Sequence, residues 1–175
     1  FEQENYFFKL SKYRDKWSTY LQDNTILLPE ARRQELLNFV DNMDDISISR
    51  TKESLPWWVP VPGDADQVMY VWFDALSNYV GAIWYPYDME KCNAYWPWVQ
   101  IFGPDNLRFQ WGIWQGMLAS AWLPFTKTLL MHGMVLGTDG NKMSKTLGNV
   151  VDPMEQLAQY GADAVRYYMI AGMPT

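Results

Sequence analysis

The chain has 175 residues and a formal net charge of -6, with 49% hydrophobic and 17% aromatic residues. This length and composition suffice for the core of one ordinary domain and argue against intrinsic disorder. The net negative charge argues against a nucleic-acid-binding surface that covers the whole protein, although it is compatible with a local basic patch.

The first 64 residues are predicted to form two helices, a short strand and a loop. Apolar residues recur at helical spacing over residues 4–21 and again over residues 29–41, where Pro29 suits a first helical turn. Residues 46–49 alternate like a strand. Residues 55–64 contain three prolines and a glycine, which is typical of a loop at a domain boundary.

From residue 67 onward the pattern changes to strands that alternate with helices. Residues 67–73 form an apolar run typical of a strand buried on both faces, and Asp74 is placed to cap a following helix through Ala82. Residues 96–102 predict a second buried strand, which ends at the turn Gly103-Pro104-Asp105. The later elements are a helix to residue 121, a strand over 128–136, a turn at 137–140, a helix from Asp152-Pro153 and, after Gly161, a helix over 162–171.

This alternation favours an α/β fold with a parallel sheet. Ligands of such sheets bind at the carboxyl ends of the strands, where Asp74, Gly103 and His132 are expected. One cysteine, Cys92, excludes an internal disulfide and a cysteine-based zinc site, and it fits a reducing compartment. The acidic start FEQE and the lack of a long apolar run predict neither a signal peptide nor a membrane partner.

The stretch GNKMSKTLGN, residues 140–149, places two lysines between two glycines. One interpretation is a solvated hairpin tip with ordinary lysines. The other is a loop that orders over a polyphosphate, where Lys142 and Lys145 stabilise the charge that develops during transfer.

Residues 142–146, Lys-Met-Ser-Lys-Thr, resemble the Lys-Met-Ser-Lys-Ser signature of class I aminoacyl-tRNA synthetases, and the flank LGNVVDP continues the likeness. Within that class the chain is similar to methionyl-tRNA synthetases. Ala75 stands where leucyl, isoleucyl and valyl relatives tend to have Ser. The similar stretches follow one another in the family's order: ENYFFKLSKY, PEARRQELLNFV, ISISR, YVWFDALSNYVGA, IFGPDNLRFQ and LLMHG.

The resemblance implies the second half of a Rossmann-like catalytic domain. Residues 1–65 would be the remainder of the connective region, residues 66–152 the second catalytic half with the lysine loop, and residues 153–175 the start of a helical linker. The His-x-Gly-His motif of the first half is absent, and His132 is the single histidine. We therefore expect the middle of a longer enzyme, inactive by itself.

The function implied by the resemblance is methionine–tRNA ligation. Such an enzyme activates methionine with ATP, which carries Mg²⁺, and passes the methionyl group to tRNA. No zinc site is expected in this chain. The expected location is the cytoplasm or an organellar matrix.

The resemblance also implies roles for individual residues. Without the motif context, Trp72 and Tyr79 would be interpreted as core aromatics, Asp105 as a helix cap, His132 as a structural residue and Arg50 as a surface or salt-bridge residue. The candidates are Lys142 and Lys145 for catalysis; Gly103, Asp105, His132, Gly133, Lys142, Met143, Ser144 and Lys145 for ATP; Trp72, Ala75, Leu76, Tyr79, Asn106 and Gln110 for methionine; and Arg50 for the tRNA acceptor end.

Several positions depart from the family's pattern. Asn106 and Gln110 stand where an aliphatic residue and a His are common, and Trp58 stands where a Gly is usual. Gln110 keeps hydrogen-bonding capacity but does not titrate near neutral pH. Two alternatives therefore remain: a class I synthetase for another amino acid, and a non-catalytic nucleotide- or RNA-binding relative.

Overall fold

The computed structural model describes residues 4–23 and 26–172. The chain divides into two compact units, residues 1–130 and 131–175. The helices and strands up to residue 131 are, in chain order, β1 (Phe7–Phe8), α1 (Arg14–Tyr20), β2 (Leu27–Leu28), α2 (Arg33–Asp41), β3 (Ile46–Ser47), β4 (Ser49–Thr51), β5 (Pro60–Val61), β6 (Asp64–Met69), α3 (Val71–Leu76), α4 (Asn78–Gly81), α5 (Met89–Tyr95), β7 (Val99–Phe102), α6 (Trp114–Ser120) and β8 (Thr128–Met131).

The predicted helix over residues 4–21 is wrong in its first half. β1 pairs antiparallel with β3, a 3₁₀ turn (Leu10–Tyr13) follows, and only then does α1 begin. The backbone of Tyr6 is held on both sides, since its N–H donates to Ser49 Oγ at 2.8 Å and its carbonyl accepts from Ile48 N at 2.9 Å. The partner strand thus satisfies the backbone that a helix would have satisfied internally.

The predicted strand over residues 67–73 is confirmed only at residues 67–69, and its burial on both faces is wrong. β6 ends at Met69 and forms the middle of an antiparallel sheet of order β4-β6-β5, with partly exposed residues along it. Tyr70 N donates to Ile48 O at 2.8 Å, and the carbonyl of Tyr70 then accepts from Asp74 N at 3.1 Å, which opens α3. Tyr70 is therefore the N-cap, and Asp74 lies inside the first turn instead of capping a later helix.

A parallel pairing is nevertheless present, and the α/β class is confirmed. A second sheet has the order β2-β8-β7, and Leu27 and Leu28 pair in parallel with Leu129 and Leu130. The expected strand at 96–102 is reduced to β7, whose residues alternate between exposed and buried, so it is not buried on both faces. The strand at 128–136 ends at Met131.

The predicted helix after Gly103 is confirmed, but half of it is not α-helical. A 3₁₀ turn (Pro104–Asn106) leads into a π-helical segment (Arg108–Ile113), and α6 continues to Ser120. Trp111, which belongs to this segment, is buried in the core, where its ring stacks on that of Trp17 with centroids 5.8 Å apart. Single π turns inside helices occur frequently at functional sites.

The second unit contains the lysine loop, which comprises residues 140–149 with Lys142 and Lys145, and two helices, α7 (Pro153–Tyr160) and α8 (Ala162–Ala171). Both helices are as predicted. Asp152 caps α7 by accepting from Met154 N at 2.8 Å, and Gly161 separates the helices at a φ of 80°. Within the described ranges, no helix has the length and apolarity to cross a bilayer.

Candidate active site

The first candidate feature is an aromatic wall where α3 packs on the π-helical segment. The Trp72 ring stacks on Phe109 with centroids 4.7 Å apart and planes at 29°, and Trp72 remains 41% exposed. Ala75, one turn further along α3, is exposed and adds little bulk, whereas Leu76 is buried in the interior. An exposed tryptophan face beside a small residue offers an apolar surface to a flexible side chain.

Tyr79 and Gln110 are brought together across this wall. Gln110 Nε2 donates to Tyr79 Oη at 2.9 Å, and Gln110 itself is buried while Tyr79 is half-buried. The Tyr79 ring lies edge-on to Trp98 at 6.0 Å and tilted against Trp114 at 5.4 Å. Tyr79 and Gln110 are therefore in direct contact, and their predicted role in binding methionine stays a prediction.

Behind Gln110 lies a set of buried polar side chains that the sequence analysis missed. We call Gln115, Thr126, Gln100 and Gln110 the amide relay. Gln115 Nε2 donates to Thr126 Oγ1 at 2.9 Å, Thr126 Oγ1 donates to Gln100 Oε1 at 3.0 Å, and Gln100 Nε2 donates to Gln110 Oε1. A polar Gln100 at an inward position of a strand was the one signal that could have pointed to it.

The end of β7 carries the residues predicted to approach the nucleotide. Gly103 is the N-cap of the 3₁₀ turn, and the backbone N–H of Asn106 donates to the Gly103 carbonyl at 3.0 Å. Asp105 lies exposed in the first turn, so the alternative that makes it the cap is wrong. An exposed carboxylate and a bare glycine at a strand end are compatible with ligand approach.

Arg50 is occupied by neighbours within the antiparallel sheet. Its Nη1 donates to Ser47 Oγ at 2.8 Å and to the Ser49 carbonyl at 2.6 Å, and its guanidinium lies 4.8 Å from the Tyr70 ring centroid. These contacts give Arg50 a structural role. The tRNA contact stays a prediction.

The lysine loop of the second unit is drawn together by two residues, Asp139 and Asn149, which we call the clasp. Asn149 Nδ2 donates to both Asp139 carboxylate oxygens, at 3.2 and 3.1 Å, and Asn149 Oδ1 accepts from Ser144 N at 2.9 Å. Lys142 and Lys145 lie on the exposed part of the loop between them. The clasp thus fixes the backbone from which both lysines project.

Further contacts tie the clasp to its surroundings. The backbone N–H of Asn141 donates to Asp139 at 3.0 Å; this bond, with the side-chain bonds from Asn141 and Asn149, lowers the pKa of Asp139 below its ordinary value. A Cβ on Gly137 would lie 2.8 Å from Asp139 Oδ1, so a larger residue there would displace the Asp139 carboxylate from the clasp. Met143 Sδ accepts from Val151 N at 3.4 Å, which turns Met143 back toward its own loop.

His132 and Gly133 precede this loop. His132 is half-buried, and its Nδ1 lies 2.7 Å from the Gly133 carbonyl, which as an acceptor requires the proton on Nδ1. Nε2 is then the acceptor nitrogen. Among the described residues, no group of three or more His, Cys, Asp or Glu side chains is arranged to hold a metal ion.

A parallel sheet, an aromatic wall and a Lys-Met-Ser-Lys-Thr loop are together the parts of a class I aminoacyl-tRNA synthetase catalytic domain. The family described as tRNA synthetases class I (M) matches residues 1–175. The chain belongs to this family, that of the methionyl-tRNA synthetases.

Solved structures agree with this assignment. The Mycobacterium tuberculosis methionyl-tRNA synthetase bound by methionyl-adenylate matches with a TM-score of 0.85 at 40% identity, over 97% of this chain and 33% of that chain. The apo form of the same enzyme matches with a TM-score of 0.80 at 36% identity, over 97% of this chain and 32% of that chain.

Curated relatives point the same way. The methionine–tRNA ligase of Brucella suis biovar 1 is 44% identical over 99% of this chain and 34% of its own length. That of Thermosynechococcus vestitus is 44% identical over 97% of this chain and 33% of its own length. The chain therefore spans about a third of the length of the curated relatives it matches.

Proposed function

We propose that the intact protein containing this chain is a methionine–tRNA ligase. Two contacts carry the proposal: the exposed Trp72 ring, one turn from Ala75, stacks on Phe109, and the next residue in the chain, Gln110, donates to the Tyr79 hydroxyl. This arrangement offers an apolar surface with a single polar group. A methionine side chain, apolar with one weak acceptor atom, has the matching chemistry.

The wall would act on the thioether in two ways. Sulfur packs favourably on aromatic rings, which the Trp72 face supplies. The Tyr79 oxygen already accepts a hydrogen bond from Gln110, so its own proton is available for an acceptor in the pocket. Asn106, at the 3₁₀ turn, and Leu76, in the interior beneath Ala75, would bound the pocket without direct polar recognition.

The first chemical step would join methionine to AMP. A carboxylate oxygen of methionine forms a bond to the α-phosphorus of ATP, and the bond from that phosphorus to the pyrophosphate oxygen breaks. Lys142 and Lys145 would stabilise the negative charge that builds up on the leaving pyrophosphate. Mg²⁺ would accompany ATP, whose phosphate oxygens are its preferred ligands.

The remaining nucleotide contacts would come from chain segments beside the sheet and loop. Gly103 allows close approach of a ribose or an amine, and Asp105 offers a carboxylate acceptor for either. His132 and Gly133 would contact the adenine, and the backbone of Met143 and Ser144 would lie along the phosphates.

The second step would transfer the methionyl group to the 3′ end of tRNA, with release of AMP. Arg50 would lie near the entrance for that end. We propose the cytoplasm as the site of action, where tRNA is used in translation.

The direct test is amino-acid-dependent exchange of radiolabelled pyrophosphate into ATP by the intact protein. Methionine should support rapid exchange, while leucine and norleucine should support much less. Equal exchange with leucine would assign the site to another amino acid, and no exchange with any amino acid would favour a non-catalytic relative.

A further inference from the structure

The amide relay is unusual because four uncharged polar side chains lie buried side by side. Gln100 is 5% exposed and Gln110 8%, while Gln115 and Thr126 are fully buried. Burying such groups is costly unless each finds hydrogen-bond partners. The relay meets this requirement with an unbroken series of bonds that ends at Tyr79.

Two backbone groups fix the orientation of the first member, Gln115. The backbone N–H of Thr126 can only donate, and it donates to Gln115 Oε1 at 3.2 Å. The backbone carbonyl of Gln110 can only accept, and it accepts from Gln115 Nε2 at 3.1 Å. The Gln115 amide therefore has one allowed orientation, with its NH₂ group directed at the Thr126 hydroxyl.

The donor-to-acceptor direction of the hydrogen bonds stays the same from Gln115 to Tyr79. Thr126 Oγ1 accepts from Gln115 Nε2, and the Thr126 hydroxyl donates its proton to Gln100 Oε1 at 3.0 Å. The amide group of Gln100 is thereby oriented with Nε2 toward Gln110 Oε1. Gln110 Nε2 is left to donate to Tyr79 Oη, so the Tyr79 proton has no role within the relay.

We propose that Gln115, Thr126 and Gln100 are positioning residues that keep the Tyr79 hydroxyl a hydrogen-bond donor toward the pocket. The inference rests on the proposed function, since the acceptor would be the methionine sulfur. Without the relay, the Gln110 amide can turn over and accept the Tyr79 proton. The hydroxyl then presents only lone pairs to the ligand. The relay thus serves to prefer a thioether over a methylene of the same shape.

The test compares methionine with norleucine, in which a methylene replaces the sulfur, in the intact protein. Thr126→Val removes the hydroxyl at nearly constant shape, and Thr126→Ser is the matched control that retains it. Thr126→Val should lower the preference for methionine over norleucine by about 2- to 10-fold, the value of one hydrogen bond. The change should lie in the KM for methionine, while Thr126→Ser keeps the wild-type preference.

A double-mutant cycle separates positioning from packing. Tyr79→Phe should lower the same preference by a similar factor, and Thr126→Val added to it should have no further effect on the preference. Additive effects, or an equal KM increase for both amino acids in Thr126→Val, would overturn the proposal.

A ligand-free measurement judges the relay separately. Hydrogen exchange followed by NMR should find the side-chain NH₂ groups of Gln100 and Gln110 protected in the wild type, relative to the exposed Gln22. Exchange as fast as that of Gln22 would overturn the relay even if Thr126→Val fails to fold. A protected relay in a protein that lacks any methionine-dependent exchange would instead contradict the proposed function.

Discussion

The lysine loop offers the sharpest test of positioning within the second unit. Asn149→Ala removes the acceptor for Ser144 N and the donors to Asp139. The loop would then lose the link between its two ends. We expect slower formation of the adenylate with little change in the KM for methionine, because the loop is proposed to act on phosphate charge.

The size of the effect of Asn149→Ala follows from one lost hydrogen bond. The part-buried hydrogen bond from Ser144 N to Asn149 Oδ1, 2.9 Å long, has an expected net value of about 0.5 to 1.5 kcal/mol. The bonds to Asp139 contribute little because that carboxylate is exposed and screened by solvent. The ratio of clasped to open loop should fall by about 2- to 12-fold, and pyrophosphate exchange by at most the same factor.

Two controls sharpen the experiment. Thr138→Ala changes an exposed neighbour on the same turn and should leave exchange unaltered. Asn149→Asp keeps an acceptor for Ser144 but sets a second carboxylate against Asp139, so it should be slower than Asn149→Ala. Unchanged turnover in Asn149→Ala, or a loss explained wholly by a higher KM for methionine, would refute the positioning argument.

The pH dependence of the clasp has a definite sign. Hydrogen bonds to Asp139 lower its pKa in the folded protein, so the clasp contributes fully above the ordinary pKa of an aspartate. It is lost only as the pH falls through the lowered folded value. The effect of Asn149→Ala should therefore be constant across the neutral range.

Three further predictions follow. Lys145→Ala should slow adenylate formation far more than it weakens methionine binding, as measured by separate kcat and KM values in pyrophosphate exchange; an equal loss of affinity at unchanged turnover would contradict its role. Trp72→Ala should raise the KM for methionine by about 2- to 10-fold before turnover falls, and an unchanged KM would remove Trp72 from the pocket. Gly116→Ala should destabilise the fold by about 1 to 3 kcal/mol in thermal unfolding, because the added Cβ would collide with the buried Leu10. The control Gly81→Ala, which adds a Cβ with nothing within 4 Å, should be neutral or slightly stabilising. Equal melting temperatures of the two variants would contradict the packing around Gly116.

Local signals sufficed where an element is determined by its own residues. Asp152 followed by Pro153 predicts the start of α7, and Gly161 predicts its end, and both are confirmed. The helix over residues 29–41 is likewise present, as a 3₁₀ turn followed by α2. In both cases the signals lie within the helix or next to its ends: a cap and a breaker for α7, and Pro29 with the apolar spacing for the helix over residues 29–41.

The wrongly predicted helices and strands depend on pairing between distant parts of the chain. The switch from strand to helix at Tyr70 depends on a hydrogen bond to Ile48, which is 22 positions earlier in the chain (70 − 48). The strand at residues 7–8 depends on β3, and β2 on β8. An apolar run alone does not distinguish these outcomes, because a strand and a buried helix can share one composition.

The candidate site also combines residues that local motifs predict with contacts that they do not. The candidate residues for methionine and ATP were predicted from motifs. In the structure, Tyr79 contacts Gln110, and Trp72 stacks on Phe109. Beyond the polar Gln100 at an inward strand position, nothing in the sequence indicates the amide relay, because Gln100 and Thr126 are 26 positions apart and no motif joins them.

The proposed role of the aromatic wall is to hold the methionine side chain. A crystal structure of the intact protein with a non-hydrolysable methionyl-adenylate analogue tests this role most directly. We expect the thioether to lie against the Trp72 ring, with its sulfur in contact with the Tyr79 hydroxyl. An amino-acid side chain bound elsewhere, with Trp72 and Tyr79 untouched by ligand, would contradict it.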